Sequence, residues 1–236
     1  MNSWLSINSG KGAAAFNMAL DEALLEHAAQ LARPVLRFYG WTEPAATFGY
    51  FQKYAAVAAA TKLRPLIRRP TGGGIVPHDA DWTYSFVVPP GHEWHSLKAE
   101  ESYRRIHEWI QRAFAELKIE TEVAPRAHKF EISNLKSEIP GGACFVGHEK
   151  SDLLWHGKKI AGAAQRRNKF GLLIQGSVQP PPVVISRERW EHAMLAAGTT
   201  AFGVGWENGK PDAALLASAE RLTTGKFLRM AYNQKR

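Results

Sequence analysis

Along residues 82–88, Trp82, Tyr84, Phe86 and Val88 alternate with Thr83, Ser85 and Val87. That period of two predicts a strand with one aromatic face. Over residues 100–117 the period changes. Tyr103, Ile106, Ile110, Phe114 and Leu117 recur at helical spacing with charged residues between them, the pattern of an amphipathic helix. Earlier in the chain, residues 4–7 read as a short strand. The run Gly10-Lys11-Gly12-Ala13-Ala14-Ala15 then opens a helix that carries Phe16, Leu20, Leu24 and Leu31. Residues 35–39 and 46–51 read as strands separated by Gly40 and Pro44, residues 54–63 as an alanine-rich helix, and residues 66–69 as a further strand. Later, His156-Gly157 sits between two apolar runs where a two-residue turn belongs, which predicts a hairpin of residues 152–155 and 159–164. Residues 171–178 form another strand and Pro180-Pro181-Pro182 ends the sheet region. A helix follows over residues 186–197, capped by Ser186 and stopped by Gly198, and a last helical region begins near Asp212. The proline and glycine content of residues 124–142 predicts a loop at the surface. With no repeat, low-complexity block or linker, the expectation is one domain over residues 1–236, helical from about residue 186.

Composition narrows the class. The 236 residues are 45% apolar, enough to fill a full core. The net charge of +8 favours an acidic partner, but the basic residues are scattered and no zinc-finger spacing is present, so nucleic acid is not expected. The single cysteine, Cys144, excludes an internal disulfide and fits a reducing compartment. No apolar run approaches membrane length and no signal pattern opens the chain, so a cytoplasmic protein without membrane contact is expected.

The densest concentration of chemistry is Arg68-Arg69-Pro70-Thr71-Gly72-Gly73-Gly74-Ile75-Val76-Pro77-His78-Asp79. Three consecutive glycines carry a large entropy cost, which is repaid where the backbone must approach another group. Backbone N–H groups there can converge on an anion, with the two arginines adding charge, so the loop reads either as an anion cradle or as a glycine-rich hairpin with solvated arginines. Gly10-x-Gly12-x-x-Ala15 imitates a dinucleotide fingerprint, but residues 35–39 end without the acid a ribose needs, so it reads as a plain turn. Cys144 follows a Gly-Gly pair, with His148 and Lys159 near in sequence; it is either a packed small residue or a thiol those neighbours activate. Lys159 leads into the small residues 161–164, where an ammonium can aim at a carbonyl or a phosphate or simply be solvated. His92 and His95 miss metalloprotease spacing and read as surface residues, and no metal is expected.

The glycine loop, Asn17-Met18-Ala19-Leu20-Asp21-Glu22, Gly49-Tyr50-Phe51-Gln52 and Gly157-Lys158-Lys159-Ile160-Ala161-Gly162-Ala163-Ala164-Gln165 together resemble the biotin/lipoate protein ligase superfamily. Ala143-Cys144-Phe145, Asp152 with the lysine strand, and Trp82-Thr83-Tyr84-Ser85 are similar to its cysteine-dependent octanoyltransferase branch. The resemblance implies an α+β fold, a mixed sheet backed by helices, like the catalytic domains of class II aminoacyl-tRNA synthetases and biotin ligases. It implies an acyltransferase in protein lipoylation. Octanoyl would move from acyl carrier protein, through a thioester on Cys144, to a lysine of a lipoyl domain in 2-oxoacid dehydrogenase complexes or of the glycine cleavage H protein. Lys159 would contact the acyl carbonyl, with Arg69, Thr71, Gly72, Gly73, Gly74, His78, Gly162 and Ala163 around the substrate. That reaction needs no cofactor. A lipoate-protein ligase using the same pocket would instead need ATP and Mg2+ and would work through lipoyl-AMP. Gly74 stands where the octanoyltransferase branch often has arginine, as in many ATP-using ligases, and Gln175-Gly176 stands where the superfamily usually has His-Gly.

Overall fold

The computed structural model describes residues 2–125 and 147–235. Cys144 and most of the loop expected over 124–142 lie outside the described residues. In chain order the elements are β1 (Ser3–Gly12), α1 (Ala14–Glu26), α2 (Ala28–Leu31), β2 (Val35–Trp41), β3 (Ala45–Phe48), α3 (Tyr54–Ala60), β4 (Leu66–Arg68), β5 (Val76–His78) and β6 (Trp82–Val88). Then follow α4 (Glu93–Ser96), α5 (Ala99–Glu116), β7 (Glu122–Val123), β8 (Leu153–Trp155), β9 (Lys158–Asn168), β10 (Gly171–Val178), α6 (Arg187–Phe202), β11 (Gly205–Gly209), α7 (Ala213–Leu222) and α8 (Met230–Asn233).

The large sheet has the order β11-β1-β2-β6-β10-β9-β8-β7, and a small one has the order β4-β3-β5. The large sheet is mixed: β1 runs parallel to β11 and β2, and the pairs from β2 onward are antiparallel. Helices cover both faces, the three-layer solution for a sheet with two apolar sides. On one face Trp82, Tyr84, Phe86 and Val88 of β6 pack with Leu172 and Ile174 of β10 against Ile106, Trp109 and Ile110 of α5 and Trp190 and Met194 of α6. On the other, Val87 and Leu173 pack against Leu20 and Leu24 of α1 and Leu215 of α7. The alternation read over residues 82–88 is therefore the division between two layers.

The hairpin turns where the sequence places it. His156 and Gly157 have φ of 48° and 72°, the left-handed pair that joins two strands in the fewest residues. Three expectations need correction. Gly198 does not stop α6; it lies inside the helix, where a Cβ would come within 2.8 Å of both Trp109 and Trp206, so its role is close packing. The helix ends instead at Gly203, in the left-handed conformation. Gly10-Lys11-Gly12 belongs to β1, where the register shifts between Asn8 and Lys11 and Gly10 takes a φ of 67°, so these glycines shape a bulge and the helix opens only at Ala14. The C-terminal part is not purely helical, because β11 returns to pair with β1.

Candidate active site

One region of the large sheet carries polar side chains between its layers. In the β2-β6-β10-β9 register, Arg37, Ser85, Gln175 and Ala164 stand opposite one another, and the next row on the same face is Tyr39, Thr83, Ser177 and Gly162. Alternation turns all eight away from the tryptophans. The row before them, Val35, Val87 and Leu173, is apolar and packs against α1.

The polar rows are tied down by a buried ion pair. Asp21 of α1 accepts from Arg37 Nη1 at 2.7 Å and from Ser85 Oγ at 2.6 Å on one oxygen, and from Tyr39 OH at 2.9 Å and Gln175 Nε2 at 2.7 Å on the other. Arg37 and Asp21 are almost fully buried, and every added donor offsets part of the cost of desolvating the carboxylate. Burial, and after it the Asp21 charge, push the Tyr39 phenol well above its ordinary range, so it remains a donor. Gln175 passes the network outward, its Oε1 accepting from Thr71 Oγ1 at 2.7 Å.

The small sheet stands over these rows, leaving a pocket between them that is partly open to solvent. Met18, Val76, Ala163, Ala164, Gly73 and Gly176 give it apolar or side-chain-free walls, and Tyr39, Thr47, Arg69, His78, Lys159 and Gln175 contribute polar groups. That mixture suits a ligand with a long apolar part and one polar centre.

Lys159 is the second residue of β9, and its Nζ lies 2.8 Å from Asp152 Oδ2, both side chains less than a tenth exposed. The Glu149 N–H also donates to that oxygen, at 2.7 Å. A Cβ on Gly162 would fall 2.7 Å from Lys159 Cε and 2.9 Å from Nζ, so the glycine leaves the lane in which the ammonium lies. Near this pair, on α5, His107 is buried with Nδ1 2.9 Å from the Tyr103 carbonyl oxygen, which makes Nδ1 the protonated nitrogen; its Nε2 is without a hydrogen bond. Burial, with Lys159 adding to it, lowers this ring to about 4 against the opposing pull of Asp152, so it is neutral near pH 7.

The glycine loop differs from the expected anion cradle. Arg69 turns inward, donating to Gly72 O at 2.6 Å and Gly74 O at 2.8 Å from Nη2, so the guanidinium braces the loop's carbonyls as well as lining the pocket. Arg68 faces the opposite way, donating to the carbonyls of Tyr50, Gln52 and Asn233, with its guanidinium over the Phe48 ring. Neither is a solvated surface arginine. Of the three glycines only Gly73 has positive φ, at 85°. Gly49 lets the loop sit close, since a Cβ there would lie 1.9 Å from Gly73 O.

Sequence comparison identifies the architecture. Residues 13–179 match the lipoyl protein ligase A/B catalytic domain. The chain belongs to that family. It is 37% identical over 183 residues to octanoyltransferase LipM of Halalkalibacterium halodurans, covering 75% of this chain and 66% of the relative. To octanoyltransferase LipM of Bacillus subtilis it is 40% identical over 181 residues, 74% of this chain and 64% of the relative. The aligned stretch thus spans just under two thirds of the length of these relatives. Among solved structures, a bi-partite lipoate protein ligase from Thermoplasma acidophilum, studied with its E2 lipoyl domain, superposes with a TM-score of 0.75 at 17% identity, over 99% of this chain and 97% of that one.

Within this lipoyl ligase fold, six of the residues singled out from the sequence line one pocket: Arg69, Gly73, His78, Lys159, Gly162 and Ala163. Thr71 touches it through Gln175, and Gly72 and Gly74 act through their carbonyls on Arg69. Sequence reading missed Asp21, Arg37, Thr47 and the role of Asp152 as partner of Lys159. An acid in the first helix and an arginine in a strand otherwise apolar from residue 35 to 39 were the available signals. Among the described residues, no group of three or more His, Cys, Asp or Glu side chains is placed to hold a metal ion.

Proposed function

We propose that this chain is an acyltransferase that moves an octanoyl group onto a lysine of a lipoyl domain. The observation that carries the reading is the meeting, in one apolar-walled pocket, of the Lys159 ammonium and the glycine loop in a chain about 40% identical to an octanoyltransferase. The alkyl chain lies against Met18, Val76, Ala163 and Ala164, where its burial is worth about 0.8 kcal/mol per methylene. The carbonyl faces Lys159, whose position is fixed by Asp152 and Gly162 before substrate arrives.

The chemistry takes two steps. The thiolate of Cys144 attacks the thioester of octanoyl acyl carrier protein, the carrier thiol leaves with a proton, and an octanoyl enzyme remains. The amine of the acceptor lysine then attacks this second thioester, forming the amide and restoring Cys144. In both steps charge builds on the carbonyl oxygen, and Lys159 is the group assigned to stabilise it. No ATP enters. Carrier and lipoyl domains are expected to be acidic, which gives the +8 charge a use in steering their approach.

A second reading, an ATP-dependent lipoate ligase, is favoured by Gly74 and by the fold shared with the Thermoplasma ligase. There Mg2+ and ATP would activate the carboxylate as an adenylate and Cys144 would be packing. Intact-mass measurement after mixing the protein with octanoyl acyl carrier protein separates the two. An octanoyl adduct that disappears in Cys144→Ser is expected. No adduct, together with ATP-driven lipoylation by Cys144→Ser, would replace the first reading with the second.

A further inference from the structure

The acceptor lysine poses a problem that the groups described so far do not solve. A lysine ammonium, with an ordinary pKa near 10.4, is protonated in all but roughly one molecule in a few thousand at pH 7, and only the free amine attacks. Some group must take the proton. Of the ionisable side chains among the described residues that line the pocket, Arg69 cannot accept one, Lys159 is engaged by the Asp152 carboxylate at 2.8 Å, and Tyr39 is a donor committed to Asp21. His78 is the remaining one.

We propose that Thr47, His78 and Asp81 form a proton relay that deprotonates the acceptor amine. The inference rests on the acyl-transfer reading above. His78 Nδ1 lies 2.9 Å from Asp81 Oδ2, and its Nε2 lies 2.8 Å from Thr47 Oγ1. The carboxylate can only accept, so Nδ1 carries the proton and the lone pair of Nε2 faces the threonine hydroxyl. Thr47 and His78 both line the pocket, from adjacent strands of the small sheet that stands over it. Trp41 stacks on the imidazole at 3.8 Å between centroids and 20° between planes, and donates from Nε1 to Thr83 Oγ1, which itself donates to Asp81. The ring is clamped in a single orientation.

Asp81 is what makes the arrangement more than a structural bond. Its Oδ2 receives His78 Nδ1, Thr83 Oγ1 at 3.0 Å and Ser177 Oγ at 2.7 Å, while Oδ1, also buried, has no hydrogen-bond partner. A buried carboxylate with one oxygen unsatisfied gains more from a neighbouring positive charge than one whose oxygens are both bonded. Imidazolium at His78 supplies that charge. The other charged groups near the relay are Arg69, whose Nη1 reaches Thr47 Oγ1 at 3.4 Å, and the exposed Asp79 beside His78 in the chain.

The protons balance. One leaves the lysine ammonium for Thr47 Oγ as the hydroxyl proton passes to His78 Nε2. The free amine attacks the thioester carbon, the C–N bond forms and the C–S bond breaks. The departing thiolate takes the second nitrogen proton, and His78 returns the first to water.

The test follows octanoyl transfer to a lipoyl domain between pH 7 and 9, and in parallel to hydroxylamine, whose nitrogen is already unprotonated at neutral pH. The proteins are the full wild-type chain, His78→Gln and Thr47→Val; the glutamine amide can still bridge Thr47 and Asp81, and valine keeps the shape of threonine. Both variants are expected to lose about a hundredfold on the lipoyl domain at pH 7, to recover as the pH rises, and to lose far less on hydroxylamine. Equal losses on both acceptors at every pH, or no loss at all, would overturn the relay and leave the acyl-transfer reading standing. A wild-type chain that octanoylates no lipoyl domain would overturn both.

Discussion

The two faces of strands β6 and β10 have the same backbone and opposite uses. On one, Phe86, Tyr84 and Trp82 meet Trp190 and Trp109 in a layer of interlocked rings, with Trp82 and Trp190 centroids 5.4 Å apart. On the other, one residue along in each strand, Ser85, Gln175, Thr83 and Ser177 bond to two buried carboxylates, Asp21 and Asp81. The first face gains its free energy from area removed from water, which is insensitive to the position of any single atom. The second gains little net energy from its hydrogen bonds, but each one fixes an atom. The comparison teaches that in this fold stability and chemistry are separated by the thickness of a sheet, so they should be separable by mutation.

The largest effect belongs to the apolar face. Trp190 is fully buried against Phe38, Trp82 and Tyr84, and Trp190→Ala should lower unfolding free energy by about 3–5 kcal/mol in denaturant titrations. A loss under about 1 kcal/mol would mean that this layer does not carry the fold. Next is the pH dependence of stability, set by His107. The fold accepts its neutral ring, so the contribution is full above the ordinary histidine value of 6.5 and is lost as the pH falls toward about 4, because the unfolded chain binds a proton that the folded chain resists. The loss is on the order of 3 kcal/mol, from the size of that shift at about 1.4 kcal/mol per unit. His107→Leu should flatten the fall between pH 7 and pH 5, and an unchanged slope would assign the acid sensitivity to other groups.

The smallest change sharpens the separation most. Gly162→Ala places a methyl in the lane of the Lys159 side chain, which can swing aside at little cost to the fold. Transfer should therefore fall about tenfold to a hundredfold, the usual cost of moving a positioned group by an ångström, while the unfolding midpoint barely moves. Equal losses in both would show that the glycine is there for packing.

Much of this division is written in the chain. The period of two across residues 82–88, the His156-Gly157 turn and the cap at Ser186 all rest on interactions between near neighbours, and each stands as read, with Ser186 Oγ accepting from the Arg189 N–H. That the glycine loop, Lys159, Gly162 and His78 belong around one pocket was legible from the motifs that carry the family resemblance. What the sequence hides is pairing at a distance. Arg68 and Arg69 are adjacent and alike, yet one reaches Asn233 and the other the glycine loop three residues on. Asp21 and Gln175 are 154 positions apart and meet only because α1 lies across β10. Gly198 has the appearance of a helix stop until Trp109 and Trp206 are in place around it. Strand β11 is a polar Gly205–Gly209 segment with no alternation to betray it, held by backbone bonds to β1.

The central claim is that the Lys159 ammonium serves the reaction and the apolar face serves the fold. Removing Lys159 outright would leave Asp152 buried and unpaired, so the most direct measurement uses Lys159→Gln, whose amide can still donate to that carboxylate. Initial rates of octanoyl transfer to a lipoyl domain and the unfolding midpoint are measured on the same preparations. The account predicts a rate at least about a hundredfold lower, the usual cost of losing an oxyanion donor, with a midpoint close to wild type. Near-normal transfer by Lys159→Gln would contradict it.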